Sequence, residues 1–263
     1  MKDLCNAKPS EVRKMIREGE LQRPTAGLCG GYAQGNLVTL PKEYAYDFLL
    51  FTQRNPKPCP VLEVSDTGGK EMKMIAPGSD ITTDIPKYRV YKKGVLEGEY
   101  TDIQSIWRDD FVSFILGCSF TFESALMEEG IEVRHIQQGC NVPMYITNIE
   151  CKPAGIFAGP TVVSMRPIPY NKIFKTVHIT SRYPGVHGAP IHIGDPKAIG
   201  IKDIFHPDFG DPVEIKENEV PVFWACGVTP QAVAMKVKPE IMITHAPGHM
   251  FLTDIRNQEL AVV

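Results

Sequence analysis

The chain has 263 residues, with 28 Lys plus Arg against 31 Asp plus Glu, a formal net charge of −3, and a composition 43% hydrophobic and 22% charged. That near-neutral balance has none of the clustered Lys and Arg that counterion release on nucleic acid or an anionic membrane requires, and the length supports a core without disulfide or metal staples. No apolar stretch approaches the ~18 residues that span a bilayer, the N-terminus MKDLCNAKPSEVRKMIREGE is too charged for a signal-peptide core, and seven Cys include no C-x-x-C pair, so the sequence predicts a soluble, cytoplasmic protein with a small-molecule partner.

The 22 Gly and 22 Pro specify many turns, and the elements fall between them. Ser10 as N-cap, then Val12, Met15 and Ile16 at helical spacing and Gly19 as a stop, predict a short amphipathic helix. The glycine-rich TAGLCGGYAQGN leads into the apolar run LVTL. A second helix is expected from Pro41, carrying Ala45, Phe48 and Leu49, until Asn55-Pro56 ends it. CPVLEV reads as a buried strand, residues 66–86 as loop, and Tyr88–Tyr91 with Val95–Leu96 as a hairpin about Lys92-Lys93-Gly94. Ile103, Ile106, Trp107, Phe111, Phe114 and Ile115 have helical spacing, and another helix begins near Thr121 and stops at Gly130. IEVRHI, VPMYIT, TVVSMR and IFKTVHIT then read as four strands. After the loop-rich HGAPIHIGDP and HPDFGDP, the strand VPVFWAC, a helix capped by Thr229 with Pro230 in its first turn, and the strand EIMITH predict a parallel βαβ element. The expected fold class is α/β, with residues 1–96 plus 181–263 forming one α/β domain and 97–180 an inserted, smaller two-layer α+β domain.

Candidate chemistry gathers at strand ends, where open α/β sheets hold their ligands. Cys226 lies between a strand and a helix start whose free amides and dipole would stabilise a thiolate or a substrate carboxylate; the alternative is a buried apolar Cys. Gly117-Cys118-Ser119 with Glu123 supplies a nucleophile or oxyanion donor and an acid or base within a few residues, or else an ordinary capped helix. His187 and His192 with Asp195, and His245 with His249, have ligand-type side chains, but Gly188, Pro190 and Pro247 interrupt the helical spacing that a metal motif would use. Asp208 and Asp211 suit turns. The glycines of TAGLCGGYAQGN could offer backbone amides to a carboxylate. Arg166, at the end of TVVSMRP, could grip a carboxylate bidentately or form a structural ion pair.

The motifs PTAGLCGGYAQGN, RNPKPCP, TDIPKYRV, GCSFTFE, MYITN, VVSMRP, HGAPIHIGDP, PDFGD, PVFWACGVTPQ and THAPGHMFLTD, in this order over about residues 10–260, resemble the family called "putative hydro-lyase", which includes the D-glutamate cyclase domain. The resemblance implies a three-layer α/β domain with a smaller two-layer α+β domain, and lyase chemistry of the kind that converts D-glutamate to 5-oxo-D-proline and water. Family members often carry a second Ser where this chain has Thr121 and an Arg where it has Ile146, which bears on how a substrate anion would be held.

The leading expectation is therefore a cofactor-independent carbon-oxygen lyase of amino acid metabolism, acting on a small carboxylic or amino acid. Glu123 and His245 would transfer protons, and Cys118 and Cys226 would line the reacting carboxyl. Ser119, Thr229 and local amides would stabilise negative charge, Arg166 would hold the second carboxylate, and His187 and His192 would complete the substrate cleft. No metal site is assigned, and a homodimer is allowed for. The alternatives are a metabolite-binding protein without turnover and a metal-dependent lyase using His187, His192 and His245. Glu123→Gln is expected to abolish turnover with little loss of stability.

Overall fold

The computed structural model describes residues 4–262. Helix α1 (Pro9–Arg17) precedes β1 (Tyr32–Pro41), α2 (Lys42–Arg54), β2 (Val61–Val64), the hairpin β3 (Tyr88–Lys92) and β4 (Val95–Tyr100), and β5 (Phe111–Gly117). Then follow α3 (Phe120–Glu128), α4 (Arg134–Gln138), β6 (Met144–Glu150), β7 (Pro160–Pro169), α5 (Ile173–Ser181) and the two-residue β8 (His192–Ile193). Strand β9 (Glu219–Ala225), helix α6 (Val228–Val237), β10 (Ile241–His245) and β11 (Phe251–Arg256) complete the order.

These strands make two antiparallel sheets, one of seven strands in the order β2-β5-β1-β10-β3-β4 with β11 also on β1, and one of four in the order β6-β7-β9-β8. Alternation sorts the side chains of the larger sheet. Val38, Leu40, Val112, Phe114 and Leu116 pack with Phe48 and Phe51 of α2, whereas Leu37, Phe111, Ile115 and Ile243 face the other way, onto Met72, Ile75, Ile81 and Ile85. The segment 66–86, expected as loop, thus covers one sheet face. In the smaller sheet Ile168, Val222 and Trp224 pack under Phe122 and Leu126 of α3, while Val163, Met165 and Phe223 face Ile199 and Ile201. Among the described residues no helix is long and apolar enough to cross a membrane.

The coarse expectation of helices packed on sheets holds, and several local expectations do not. The stretch with helical spacing at 103–115 contains a 3-10 turn and then β5, which is buried at every position because it pairs with β1 and β2 and is covered on both faces. IEVRHI runs into α4, closed by Gly139 at φ 65°, and IFKTVHIT is α5, in which the buried pair Thr176 and Thr180 is joined by a hydrogen bond from Thr180 Oγ1 to the Thr176 carbonyl. The element VPVFWAC–helix–EIMITH is not a parallel βαβ unit, since β9 lies in the small sheet and β10 in the large one. Helix α6 starts two residues earlier than expected, capped by Gly227 rather than Thr229, and α1 is capped by Lys8 rather than Ser10. Pairing also assigns Phe111–Gly117 to the large sheet and Glu219–Ala225 to the small one, each on the other side of the sequence boundaries expected for the two units.

Candidate active site

Alternation along β7 puts Ser164, Arg166 and Ile168 on the face that meets α3. Arg166 is fully buried there, 5.2 Å from the Phe122 ring centroid and 5.4 Å from that of Trp224. Its guanidinium is nearly saturated. Nε donates to Glu123 Oε1 at 2.9 Å, Nη2 donates to the same oxygen and to Ser119 Oγ at 2.9 Å, and Nη1 donates to Ser164 Oγ at 3.1 Å. Ser119 and Glu123 reach it together because i and i+4 share a helix face. His135 Nε2 is 3.5 Å from Glu123 Oε1 and makes no hydrogen bond. Burial alone would raise the Glu123 pKa, but the Arg166 charge and His135 outweigh it and hold the carboxyl below its usual range. Glu123 is thus an ionised partner of a buried cation rather than a carboxylic acid waiting to deliver a proton.

Two strand-to-helix junctions converge on this pair. At the first, β5 ends at Gly117 and Cys118 precedes α3; at the second, β9 ends at Ala225 and Cys226 precedes α6. Both cysteines are buried, and the amide that opens the following helix, Phe120 for Cys118 and Val228 for Cys226, favours the thiolate of each. Each lies close enough to Arg166 to feel its charge, and Cys226 acts on Cys118. Burial dominates nonetheless and pushes Cys118 up to about 12 and Cys226 to about 11, so both are neutral thiols at pH 7.

The remaining expected residues divide. His187 packs against the first junction: its Nδ1 donates to the Lys57 carbonyl at 2.9 Å, its ring meets the Gly117 backbone, and burial lowers its pKa to about 4. It adopts φ 84°, unusual for a residue with a side chain. His245 sits where β1 passes from pairing with β11 to pairing with β10; the Leu37 amide, without a ladder partner on that side, donates to His245 Nδ1 at 3.1 Å, and Gln231 Nε2 lies 3.0 Å from the same atom. Burial lowers this imidazole also to about 4. With its Nδ1 lone pair engaged, His245 is the Nε2–H tautomer, which presents a donor. Asn36, next on β1, donates to the Gly117 carbonyl at 3.0 Å and fills the space beside Gly227, so it ties the two junctions together.

Other candidates are structural here. Thr229 Oγ1 accepts from the Val162 amide at 2.9 Å and donates to the Val162 carbonyl at 3.2 Å, which binds α6 to β7. His192 Nε2 donates to the Asp195 carbonyl at 2.7 Å, and Asp195 caps the following turn. His249 Nδ1 contacts the Pro247 carbonyl. Asp208 and Asp211 accept from the Ile146 and Asn141 amides and pin their loop beside β6, as turn-forming Asp would. Ile146 is exposed on β6. Of the glycine-rich segment, Tyr32–Asn36 belongs to β1, and a Cβ at Gly35 would overlap Ile115. Among the described residues no group of three or more His, Cys, Asp or Glu is placed to hold a metal ion. Sequence reasoning missed His135, Ser164, Asn36 and Gln231; only Ser164 carried a signal, its two-residue offset from Arg166 on one strand.

The model of the family described as D-glutamate cyclase matches residues 112–254, a span that includes both junctions, Glu123, His135, Arg166 and His245. A protein of Thermoanaerobacter sp. (strain X514) named as a "Putative hydro-lyase" is 70% identical over 256 residues, covering 97% of either chain. A "Putative hydro-lyase" of Clostridium beijerinckii is 65% identical over 258 residues and 98% of either chain, and "Putative hydro-lyase YcsI" of Bacillus subtilis is 61% identical over 97% of this chain and 99% of its own. A solved structure of a nitrogen repressor-like protein from Methanococcus jannaschii aligns over 92% of this chain and 97% of that one with TM-score 0.39 and 9% identity, a likeness too distant to bear on the site.

Proposed function

The chain belongs to the D-glutamate cyclase family, and from that premise we propose that it is a hydro-lyase that closes D-glutamate to 5-oxo-D-proline and water at the centre formed by Cys118, Cys226 and Arg166. In that reaction the amine nitrogen bonds to the side-chain carboxyl carbon and one C–O bond breaks. The two protons lost by the substrate ammonium are the two gained by the departing oxygen. The site must therefore relay protons without consuming any. One observation supports the reading: two buried cysteines, each opening onto the first amide of a helix, lie within the field of one buried cation.

A thiol in that position can give its proton to the leaving oxygen, because the thiolate left behind keeps its helix amide and the Arg166 field, and it can then recover a proton from the amine. His245, through Nε2–H, and the Ser119 hydroxyl are the donors that would stabilise negative charge on the carboxyl oxygen. Glu123 and His135 act through Arg166 as positioning residues. With four of its five N–H groups engaged, Arg166 orients thiols and hydroxyls more than it clamps a carboxylate. Mixing purified protein with D-glutamate and following the carbon spectrum by NMR tests the reading. Growth of 5-oxoproline that is lost in Cys118→Ser and Cys226→Ser supports it, and an unchanged glutamate spectrum contradicts it.

The second reading, a metabolite-binding protein without turnover, is favoured by the same saturation of Arg166 and of His245 Nδ1. Saturable D-glutamate binding without product would select it.

A further inference from the structure

Helix α3 has a second working face. Ser119 and Glu123 point to Arg166; Thr121, Ser124, Ala125 and Glu128 recur at the helical period on the opposite side. That side forms one wall of a cavity of about 180 Å³, whose other walls are Gly31, Tyr183 and Arg256–Gln258. Gly31 brings in the glycine-rich segment that the centre at Arg166 leaves unused, and the Asn257 amide donates to its carbonyl at 2.9 Å.

Two buried polar atoms of this cavity are left without partners, and two exposed charges of opposite sign stand at its rim. Thr121 and Asn257 are 2% and 8% exposed, yet Thr121 Oγ1 and Asn257 Oδ1 make no hydrogen bond. A buried hydroxyl and a buried amide oxygen in that condition are rare in a folded chain and call for an absent partner. Glu128 closes the last turn of α3, where the helix dipole disfavours a carboxylate, and no cation lies within ion-pair distance among the described residues; its neighbour Glu129, by contrast, is paired with Lys175. Arg256 lays its guanidinium 3.9 Å over the centroid of the Tyr32 ring, a contact that uses its face and leaves its N–H edges available.

We infer that this cavity is a binding site for a small zwitterion of the α-amino acid type, its carboxylate held by Arg256 with the Thr121 and Ser124 hydroxyls and its ammonium by Glu128 and Asn257 Oδ1. A simple anion such as phosphate fits less well, because Glu128 would repel it. The volume limits the side chain to a few heavy atoms. The site is independent of the reaction assigned to the Arg166 centre, and a ligand in it would steady the helix that carries Ser119 and Glu123.

The full-length ¹⁵N-labelled protein is titrated at fixed ionic strength with glycine and with L-alanine, and with acetate and methylammonium as single-charge probes. Glycine or alanine should shift the backbone amides of Gly31, Thr121, Ser124 and Asn257 saturably. Glu128→Gln and Arg256→Gln, both at the exposed rim and so compatible with folding, should each weaken binding about tenfold, the loss of one charge-assisted hydrogen bond. Acetate and methylammonium should bind at least about tenfold more weakly than glycine. Absence of saturable shifts at those amides, wild-type affinity in both variants, or acetate binding as tightly as glycine would each overturn the inference.

Discussion

The junctions at Cys118 and Cys226 are built alike and embedded differently. Each runs from a buried strand through a cysteine and one small residue into a helix whose first amide meets the sulfur. At the first, the helix face supplies Ser119 and Glu123 to Arg166, so the junction carries charge. At the second, Gly227 lies against Asn36 and Thr229 is tied to Val162, so it carries packing. The local motif sets where a thiol and an amide go. Both thiols lie in the field of Arg166; what the surrounding sheet contributes decides whether the helix that follows also binds that cation.

The largest effect expected is on pH stability, to which the two imidazoles that flank the junctions contribute alike. His187 and His245 are held near pKa 4 in the fold against an ordinary 6.5. Between those values the unfolded chain takes up a proton that the folded chain refuses, so stability is full above about pH 6.5 and falls as the pH drops toward 4. Each contributes on the order of 3 kcal/mol across that window. Glu123, with its lowered pKa, adds a further loss only at more acidic pH. Urea titrations at stepped pH should show this slope, with His187→Asn and His245→Asn each removing about half of it. A flat profile from pH 7 to 4.5 would contradict the buried neutral histidines.

Next comes the charge of the first junction. Glu123→Gln leaves the buried Arg166 cation without its counter-charge and should cost about 3–5 kcal/mol in denaturant unfolding. This revises the sequence-based expectation of little stability loss, for the reason that Glu123 is walled in with its partner. A variant as stable as the parent would mean that the pair contributes nothing. The glycines then separate backbone from side chain as neighbours. A Cβ at Gly117 would overlap the Gly185 carbonyl, which cannot yield, whereas one at Gly227 would meet the Asn36 amide, which can swing away at the loss of its bond to Gly117. Gly117→Ala should cost about 3 kcal/mol and Gly227→Ala about 2 kcal/mol; the reverse order, read by thermal unfolding, would contradict the packing described. Smallest is Thr229→Val, about 1–2 kcal/mol with kcat little changed, because it strands only the Val162 amide.

The second junction was legible in the sequence, since a buried strand, a Cys and a small residue before a helix start leave a local trace; at the first, Cys118, Ser119 and the following helix were read, but the strand before them was taken for a helix. That Cys118, Cys226 and Arg166 belong to one site was an expectation of the sequence; how Arg166 is partnered was not legible. Arg166 on β7 meets α3 only through sheet packing, and a residue that reads as a substrate clamp in isolation turns out to be committed to Glu123, Ser119 and Ser164. Strand β5 was misread because burial on both faces removes the alternation that marks a strand, leaving apolar positions that also match a helix. Helix α5 was misread because its β-branched residues suggest a strand, although Thr176 and Thr180 were already at helical spacing. The order strand, helix, strand at the C-terminal end says nothing about which sheet receives the second strand.

The central claim, that the two cysteines serve one reacting centre, is tested most directly by a double-mutant cycle on kcat/KM for D-glutamate. Residues that act as a unit lose nearly everything on the first removal. Cys118→Ser and Cys226→Ser should therefore each reduce kcat/KM almost as far as the double variant does, with folding verified in all three. Losses that simply add on a free-energy scale, or a single variant that keeps full activity, would contradict a shared centre.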